Sequence, residues 1–242
     1  MKIAMKKFKK SVIIGLVLVA ILASGVKLGI DHATYQPTTR AQVIAKKASQ
    51  TSKVTTFKAK NSKLTVVVYP GALVNPNAYA IWAQDLAKKG YTVKIVHFPL
   101  NLAVFDQNAA KNVVGKNEDY VIGGHSLGGA MAARYAAAKH DKHLKAVFFL
   151  GAYADKKGRL DQSQLPVLNI SASRDGVMQK DKFEHNKVYL PKNTTYAVIK
   201  GGNHANFGAY GKQKGDNKAT ISNATQQKQV ADVLTQWLQN VN

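Results

Sequence analysis

The chain has 242 residues, 45% of them hydrophobic, enough for one medium domain with a full core and an extension. It carries 35 basic residues against 13 acidic ones, a formal net charge of +22, and no cysteine, which excludes disulfides, thiolate metal sites and a cysteine nucleophile. Only Arg40, Arg134, Arg159 and Arg174 are arginines; nucleic-acid readers rely on arginine forks, so scattered lysines argue against a specific nucleic-acid partner. They fit a solvated basic surface, with an anionic envelope polymer or acidic lipid as the sharper candidate partner.

The chain opens with Lys2, Lys6, Lys7, Lys9 and Lys10, followed by the uncharged run Ser11–Val26. A basic cluster before an apolar run is the layout of a signal peptide or signal anchor. With Leu28-Gly29-Ile30 added and Lys27 snorkelling, the run reaches the roughly 20 residues a spanning helix needs. Residues 1–30 are therefore expected to be a membrane segment with everything after it on the outer face, a retained anchor being favoured over cleavage at the small residues Ala23-Ser24-Gly25, which would leave the protein secreted. Residues 31–53 are polar and read as a tether with some helix. The chain beyond residue 30 holds 29 basic and 13 acidic residues, so the domain itself remains basic.

From residue 54 to 242 short β-branched runs alternate with amphipathic stretches. The expected strands are Val54–Ala59, Leu64–Tyr69, Tyr91–Phe98, Asp119–Gly123, Leu144–Leu150, Val167–Ser171 and Thr195–Ile199. Helices are expected at Asn77–Lys89, Val104–Val114, Leu127–His140, Gln179–Leu190 and Asn223–Val241. This alternation, with near-continuously apolar strands, implies an α/β domain: a mainly parallel sheet covered by helices on both faces, its first strand antiparallel at the edge. Ligands then sit at the carboxyl ends of the strands.

The expected strand Asp119–Gly123 runs into Gly124-His125-Ser126-Leu127-Gly128-Gly129 and then an alanine-rich helix. A Gly-x-Ser-x-Gly turn between strand and helix projects the serine hydroxyl clear of the sheet, and its glycines permit close backbone approach. The bare pattern arises by chance about 0.1 times in such a chain, and its strand–turn–helix setting makes chance rarer still. A serine needs a base, and the base a carboxylate to orient it, in the chain order serine, acid, histidine. Asp175 follows one strand and His204 the last, in a glycine-rich loop. Among the seven histidines, His97 precedes the serine, His125 belongs to the turn, and the others lie in the tether or beside helices. Asp155 and Asp161 are the rival acids. For the oxyanion hole the expected N–H donors are Leu127 and Ala72, with Leu73 as second choice after Ala72. Phe207, Tyr210 and Leu73 are the expected substrate-binding residues, the first two as a wall of a shallow pocket.

These segments resemble the α/β-hydrolase superfamily from about residue 54 onward. The matching stretches are Tyr69-Pro70-Gly71, Asn101–Phe105, Gly123–Ala133, Ser173–Gly176 and Gly201–Ala205. The last continues through Phe207-Gly208, Tyr210-Gly211, Gly215-Asp216 and Ala219–Ser222. The likeness is to small bacterial, N-terminally anchored esterase-like members near the dienelactone-hydrolase branch. It implies a Ser126–Asp175–His204 hydrolase and fixes no substrate; the activity expected from the residues is metal- and cofactor-free cleavage of a small carboxylic ester. Dienelactone hydrolases proper use a cysteine nucleophile, which this chain lacks. A thioesterase, peptidase or acyltransferase would use the same residues. A non-catalytic basic surface-binding protein is the alternative of another class, against which the intact serine, acid and histidine argue. The stretch Ala154–Pro166 is too polar and aperiodic for an apolar lid, so no cap domain is expected.

Overall fold

A computed structural model of the chain describes residues 25, 28–138 and 141–241. The chain divides into two units, Met1–Thr34 and Tyr35–Asn242. In the first, residues 28–33 are helical, and the Thr34 hydroxyl donates to the Ile30 carbonyl at 2.8 Å. Apart from Gly25, the apolar run Ser11–Val26 lies outside the described residues. No described helix is long and apolar enough to cross a membrane.

The second unit begins earlier than the sequence implies. Residues 35–50, read as part of the tether, belong to it. Thr38 caps helix α1, Thr39–Ala45, which buries Ala41 and Ala45. Strand β1, Ser49–Gln50, then pairs antiparallel with β2, Val54–Phe57. The helix was hard to see because its buried stripe consists of alanines, which carry little hydropathy contrast.

The other strands are β3 (Leu64–Tyr69), β4 (Tyr91–Val96), β5 (Tyr120–His125), β6 (Leu144–Leu150), β7 (Val167–Ala172) and β8 (Thr195–Ile199). They form one eight-stranded sheet in the order β1-β2-β4-β3-β5-β6-β7-β8. From β3 to β8 the pairing is parallel; β2 lies antiparallel to β4, one place in from the edge because β1 covers it. Burial on both faces explains the continuous apolar runs. Val66 and Val68 of β3 face one core with Trp82, Leu86, Leu234 and Trp237, while Val67 and Tyr69 face the other with Met131, Tyr135 and Phe149.

Helix α2 (Ala80–Lys88), entered through a 3-10 turn at Pro76–Tyr79, and α5 (Asn223–Leu238) cover the first face together with α1. Helix α3 (Leu127–Ala138) covers the second; the last two residues of the expected helix, 139 and 140, lie outside the described residues. Two expected helices shrink. Val104–Val114 forms the separate 3-10 turns Ala103–Phe105 and Ala109–Asn112, and Gln179–Leu190 forms helix α4 (Lys180–His185) followed by a 3-10 turn. Between β6 and β7 only the turn Lys156–Gly158 is helical, as expected for a domain without a cap.

One half-buried ion pair holds the 113–118 loop to the sheet. Lys94 Nζ lies 2.7 Å from the Glu118 carboxylate and 2.8 Å from the Val113 carbonyl, while Gly115 N–H donates to Glu118 at 2.6 Å. Burial pushes the Glu118 carboxyl up, but the bonds from Lys94, Thr65 and Gly115 outweigh it and hold the pKa below the ordinary value. A depressed carboxylate contributes stability above its unfolded pKa, about 4.3, and loses it as pH falls through the lower folded value. Glu118→Gln should thus cost roughly 0.5–1 kcal/mol at pH 7, a pair still touched by solvent being worth no more. Thermal melts from pH 7 to 3 should show the wild-type advantage shrinking below pH about 4; an advantage constant across that range would refute the pair's role.

Candidate active site

Chain winding reverses at β3, which lies between β4 and β5, so the loops leaving the carboxyl ends there diverge and open a crevice. Tyr69 at the end of β3 pairs with Gly124 near the end of β5, which brings the Pro70–Val74 turn beside the elbow at Ser126. Ser126 has φ +52°, a left-handed conformation held by its N–H donating to the Leu150 carbonyl at 3.0 Å. Strain of this kind persists only where the surroundings over-determine it. At Gly124 and Gly128 a Cβ would collide with the Tyr69 backbone. Ser126 is half-buried, as are Ala72, Leu73 and Leu127 around it.

Strands β7 and β8 end side by side, Ala172 opposite Ile199. The loops beyond them bring Asp175 and His204 together, with Asp175 Oδ2 2.7 Å from His204 Nδ1. Both residues are buried, at 3% and 1% exposure. The other carboxylate oxygen accepts the N–H groups of Val177 and Met178 at 2.9 and 2.8 Å. An acceptor at Nδ1 puts the imidazole proton there and leaves a lone pair on Nε2. That Nε2 atom is buried and has no partner among the described residues. The arrangement thus contains a base nitrogen in the right tautomer with its accepting position unfilled.

The rival acids are engaged elsewhere. Asp155 pairs with Arg134 and accepts the N–H groups of Lys157 and Gly158, and Asp161 pairs with Arg159. His97 hydrogen-bonds Thr55, and His143 pairs with Asp119. Of the oxyanion candidates, Leu127 opens α3, where first-turn N–H groups have no helical acceptor. The Ala72 N–H likewise has no acceptor among the described residues, whereas that of Leu73 is spent on the Asn101 carbonyl at 2.9 Å. No group of histidines and acidic residues able to hold a metal ion occurs among the described residues.

A family model described as the alpha/beta hydrolase family matches residues 65–228. The chain belongs to that family. No curated protein sequence matches it. Among solved structures, an alpha/beta hydrolase enzyme from the metagenome of lagoon sediments at Mar Chica, Morocco, superposes with a TM-score of 0.60 at 17% identity, covering 79% of this chain and 97% of that one. The esterase domain of a Rhodothermus marinus protein gives 0.59 at 13% identity, with 78% and 92% covered. A dienelactone hydrolase from Anabaena variabilis gives 0.56 at 15%, with 78% and 91% covered. At such identities the likeness is one of fold.

In this α/β-hydrolase the expected aromatic wall is corrected. Phe207 is fully buried and Tyr210 is 7% exposed; both pack beneath the histidines, with ring centres 5.6 and 6.4 Å from that of His125. The reason is α5: Gln227 and Asn223 hydrogen-bond the Asn206 and Gly208 carbonyls and draw the loop onto the core. The exposed apolar side chains near the Pro70–Val74 turn are instead Leu100, Val104 and Phe105, on the segment whose Asn101 carbonyl receives the Leu73 N–H. The sequence also left His125 and Tyr79 without a role. Tyr79 accepts the Gly71 N–H at 2.9 Å, and the same hydroxyl shares a hydrogen bond with His125 Nδ1, also at 2.9 Å. The His125 ring in turn packs 4.4 Å from His204. Burial, reinforced by His204, pushes the His125 pKa well below its ordinary value and keeps it neutral. Only the two histidines' separation in sequence concealed this.

Gly151, just past β6, backs the acid–base pair. Its φ is +53°, and a Cβ there would lie 3.1 Å from both Asp175 Oδ2 and His204 Nδ1. Gly151→Ala should therefore cost about 1 kcal/mol for the backbone alone, with crowding added. Differential scanning calorimetry should show the melting temperature lowered by at least roughly 2–4 °C; an unchanged melt would contradict the close packing.

Proposed function

We propose that the protein is a serine hydrolase of small carboxylic esters, with Ser126 as nucleophile, His204 as base and Asp175 as orienting acid. The observation that carries this reading is the buried Asp175–His204 hydrogen bond, which leaves His204 Nε2 without a partner among the described residues, in a domain whose Gly-flanked elbow presents Ser126.

In the proposed cycle His204 Nε2 takes the Ser126 hydroxyl proton as Oγ attacks the ester carbonyl. The negative charge that develops on the carbonyl oxygen is met by the N–H groups of Leu127 and Ala72, the former also at the positive end of α3. The imidazolium, steadied by Asp175, returns its proton to the departing alcohol and leaves an acyl group on Ser126. Water, deprotonated by the same nitrogen, then releases the carboxylic acid and restores the serine.

Ser126→Ala should abolish both ester hydrolysis and labelling by a fluorophosphonate probe, with the circular dichroism spectrum unchanged. Asp175→Asn should lower turnover on the order of 10³–10⁴-fold, because the amide favours the wrong imidazole tautomer. Activity above a tenth of wild type in Ser126→Ala would remove the serine from its role, and equal damage from Asp155→Asn or Asp161→Asn would move the acid.

The acyl group proposed is short. The β6–β7 connection provides no lid, and the apolar surface near Ser126 is limited to the half-buried Leu73 and Leu127 and the exposed Leu100, Val104 and Phe105. Each methylene buried gains about 0.8 kcal/mol, and an open surface buries few of them. A series of p-nitrophenyl esters should peak between roughly C2 and C6 without a jump in rate when the substrate aggregates. A maximum at C12 or longer would contradict the open site.

A further inference from the structure

Asp216 stands in a turn of the long segment between β8 and α5. In the proposed reaction it touches neither Ser126 nor the substrate, yet its carboxylate reaches both loops that carry the acid and the base. Oδ1 accepts the N–H of Gly176, the residue after Asp175, at 3.0 Å. Oδ2 accepts the N–H of Ala205, the residue after His204, at 2.8 Å. The Asn217 N–H completes the set on Oδ1 at 2.9 Å.

The surroundings are built for this approach. Gly215 has φ +84°, which turns the chain so that residue 216 faces inward. A Cβ on Gly176 would come within 2.8 Å of Asn217 N and of the Gly215 carbonyl oxygen, so the acid loop lies directly on this turn. On either side the Arg174 guanidinium donates to the Lys218 carbonyl at 2.6 Å, and the Asn203 amide to the Asn217 carbonyl at 2.7 Å. Both the acid loop and the base loop are therefore tied to residues 216–218, and Asp216 is the one side chain there that bonds to both.

We infer that Asp216 is a positioning residue: its carboxylate bridges the backbone following Asp175 to the backbone following His204 and so sets the geometry of the Asp175–His204 pair. Charge-assisted bonds to two N–H groups are short and directional, and this carboxylate ties the loops nearer the pair than their direct bonds do, which run from the Arg174 N–H to the Gly202 carbonyl at 2.9 Å and from the Gly201 N–H to Ser173 Oγ at 2.8 Å. The role rests on the hydrolase reading above. It differs from orientation by Asp175 itself, because Asp216 acts on where the two partners stand and touches neither side chain.

Asp216→Asn is the discriminating change. The asparagine oxygen can still accept one N–H, but its NH2 group would face the other, donor against donor. Turnover should fall by about 10–100-fold, the scale expected of a misplacement near 1 Å, with KM within about twofold of wild type. The low-field proton resonance of His204 Nδ1–H, which reports the bond to Asp175, should weaken or vanish. Asp216→Ser, with one short acceptor, should do the same. Unchanged turnover or an unchanged resonance in a folded variant would overturn the role. Should neither variant fold, hydrogen exchange of the wild-type protein decides: the Gly176 and Ala205 amides should be protected, and exchange at the rate of free loop amides would overturn the clasp. Absence of labelling and ester hydrolysis in the wild type would instead bring down the hydrolase reading, whereas a wild type that labels and an Asp216→Asn protein that labels equally fast would bring down the clasp alone.

Discussion

A carboxylate taken out of water must have its lone pairs filled, and in this fold that requirement falls on Asp175. At 3% exposure it receives the His204 Nδ1–H on one oxygen and two backbone N–H groups, from Val177 and Met178, on the other. Those donors exist only if the chain turns sharply after β7, and the histidine arrives only if β8 ends level with it. The parallel register Ala172 to Ile199 secures the second condition. Removing any one donor would leave a buried oxygen short of a partner, which costs far more than the bond itself contributes. Asp175, His204 and the two strand ends are thereby one cooperative unit, with Gly151 as the floor that lets the pair lie so close to β6.

The remaining ionisable groups are arranged so that none competes. Asp155 and Asp161 are each held by an arginine, and the His125 imidazole is kept neutral by burial, reinforced by the neighbouring His204. Tyr79 links two parts of the site. By accepting the Gly71 N–H it fixes the turn that carries Ala72, and through its hydrogen bond with His125 it fixes the ring packed against His204. The turn after β3 and the histidine loop after β8 are far apart in the sheet, and this chain of contacts joins them through the interior.

The sheet was legible because burial on both faces forces β-branched runs. Leu64–Tyr69, Leu144–Leu150 and Thr195–Ile199 have in the structure the limits read from the sequence, and the other expected strands of the sheet shift by three residues at most. The elbow was legible because its glycines are demanded by backbone contacts that no other residue survives. What failed to show was whatever depends on distant partners. Helix α1 buries two alanines, a signal too faint to separate it from a tether, and β1 is only two residues long. The 103–112 segment has helical spacing but sits in two separated 3-10 turns. Phe207 and Tyr210 look like loop aromatics and are core, because side-chain amides from α5, remote in sequence, pull their loop inward.

The same contrast explains why a loop of glycines and lysines can hold a precise geometry. Between Gly201 and Ser222 there is no regular element beyond one short 3-10 turn, Ala205–Phe207, and the side chains packed into the core are those of Ala205, Phe207, Ala209 and Tyr210. Order there comes from side chains bonding to backbone: Gln226 brackets Asn203, donating to its carbonyl at 2.8 Å and accepting its N–H at 3.0 Å. Asn203, which donates to the Asn217 carbonyl and accepts the Asn206 N–H, and Asp216 continue the pattern inside the loop itself. Each such bond contributes only about 1 kcal/mol net, but each also fills a backbone group that would otherwise be left without a partner. A loop held by backbone bonds can tolerate a basic, soluble exterior while its inner edge keeps His204 still. The lysines of this segment (Lys212, Lys214, Lys218) lie on that exterior, so the positive charge of the chain and the placement of its base are governed by separate sets of residues.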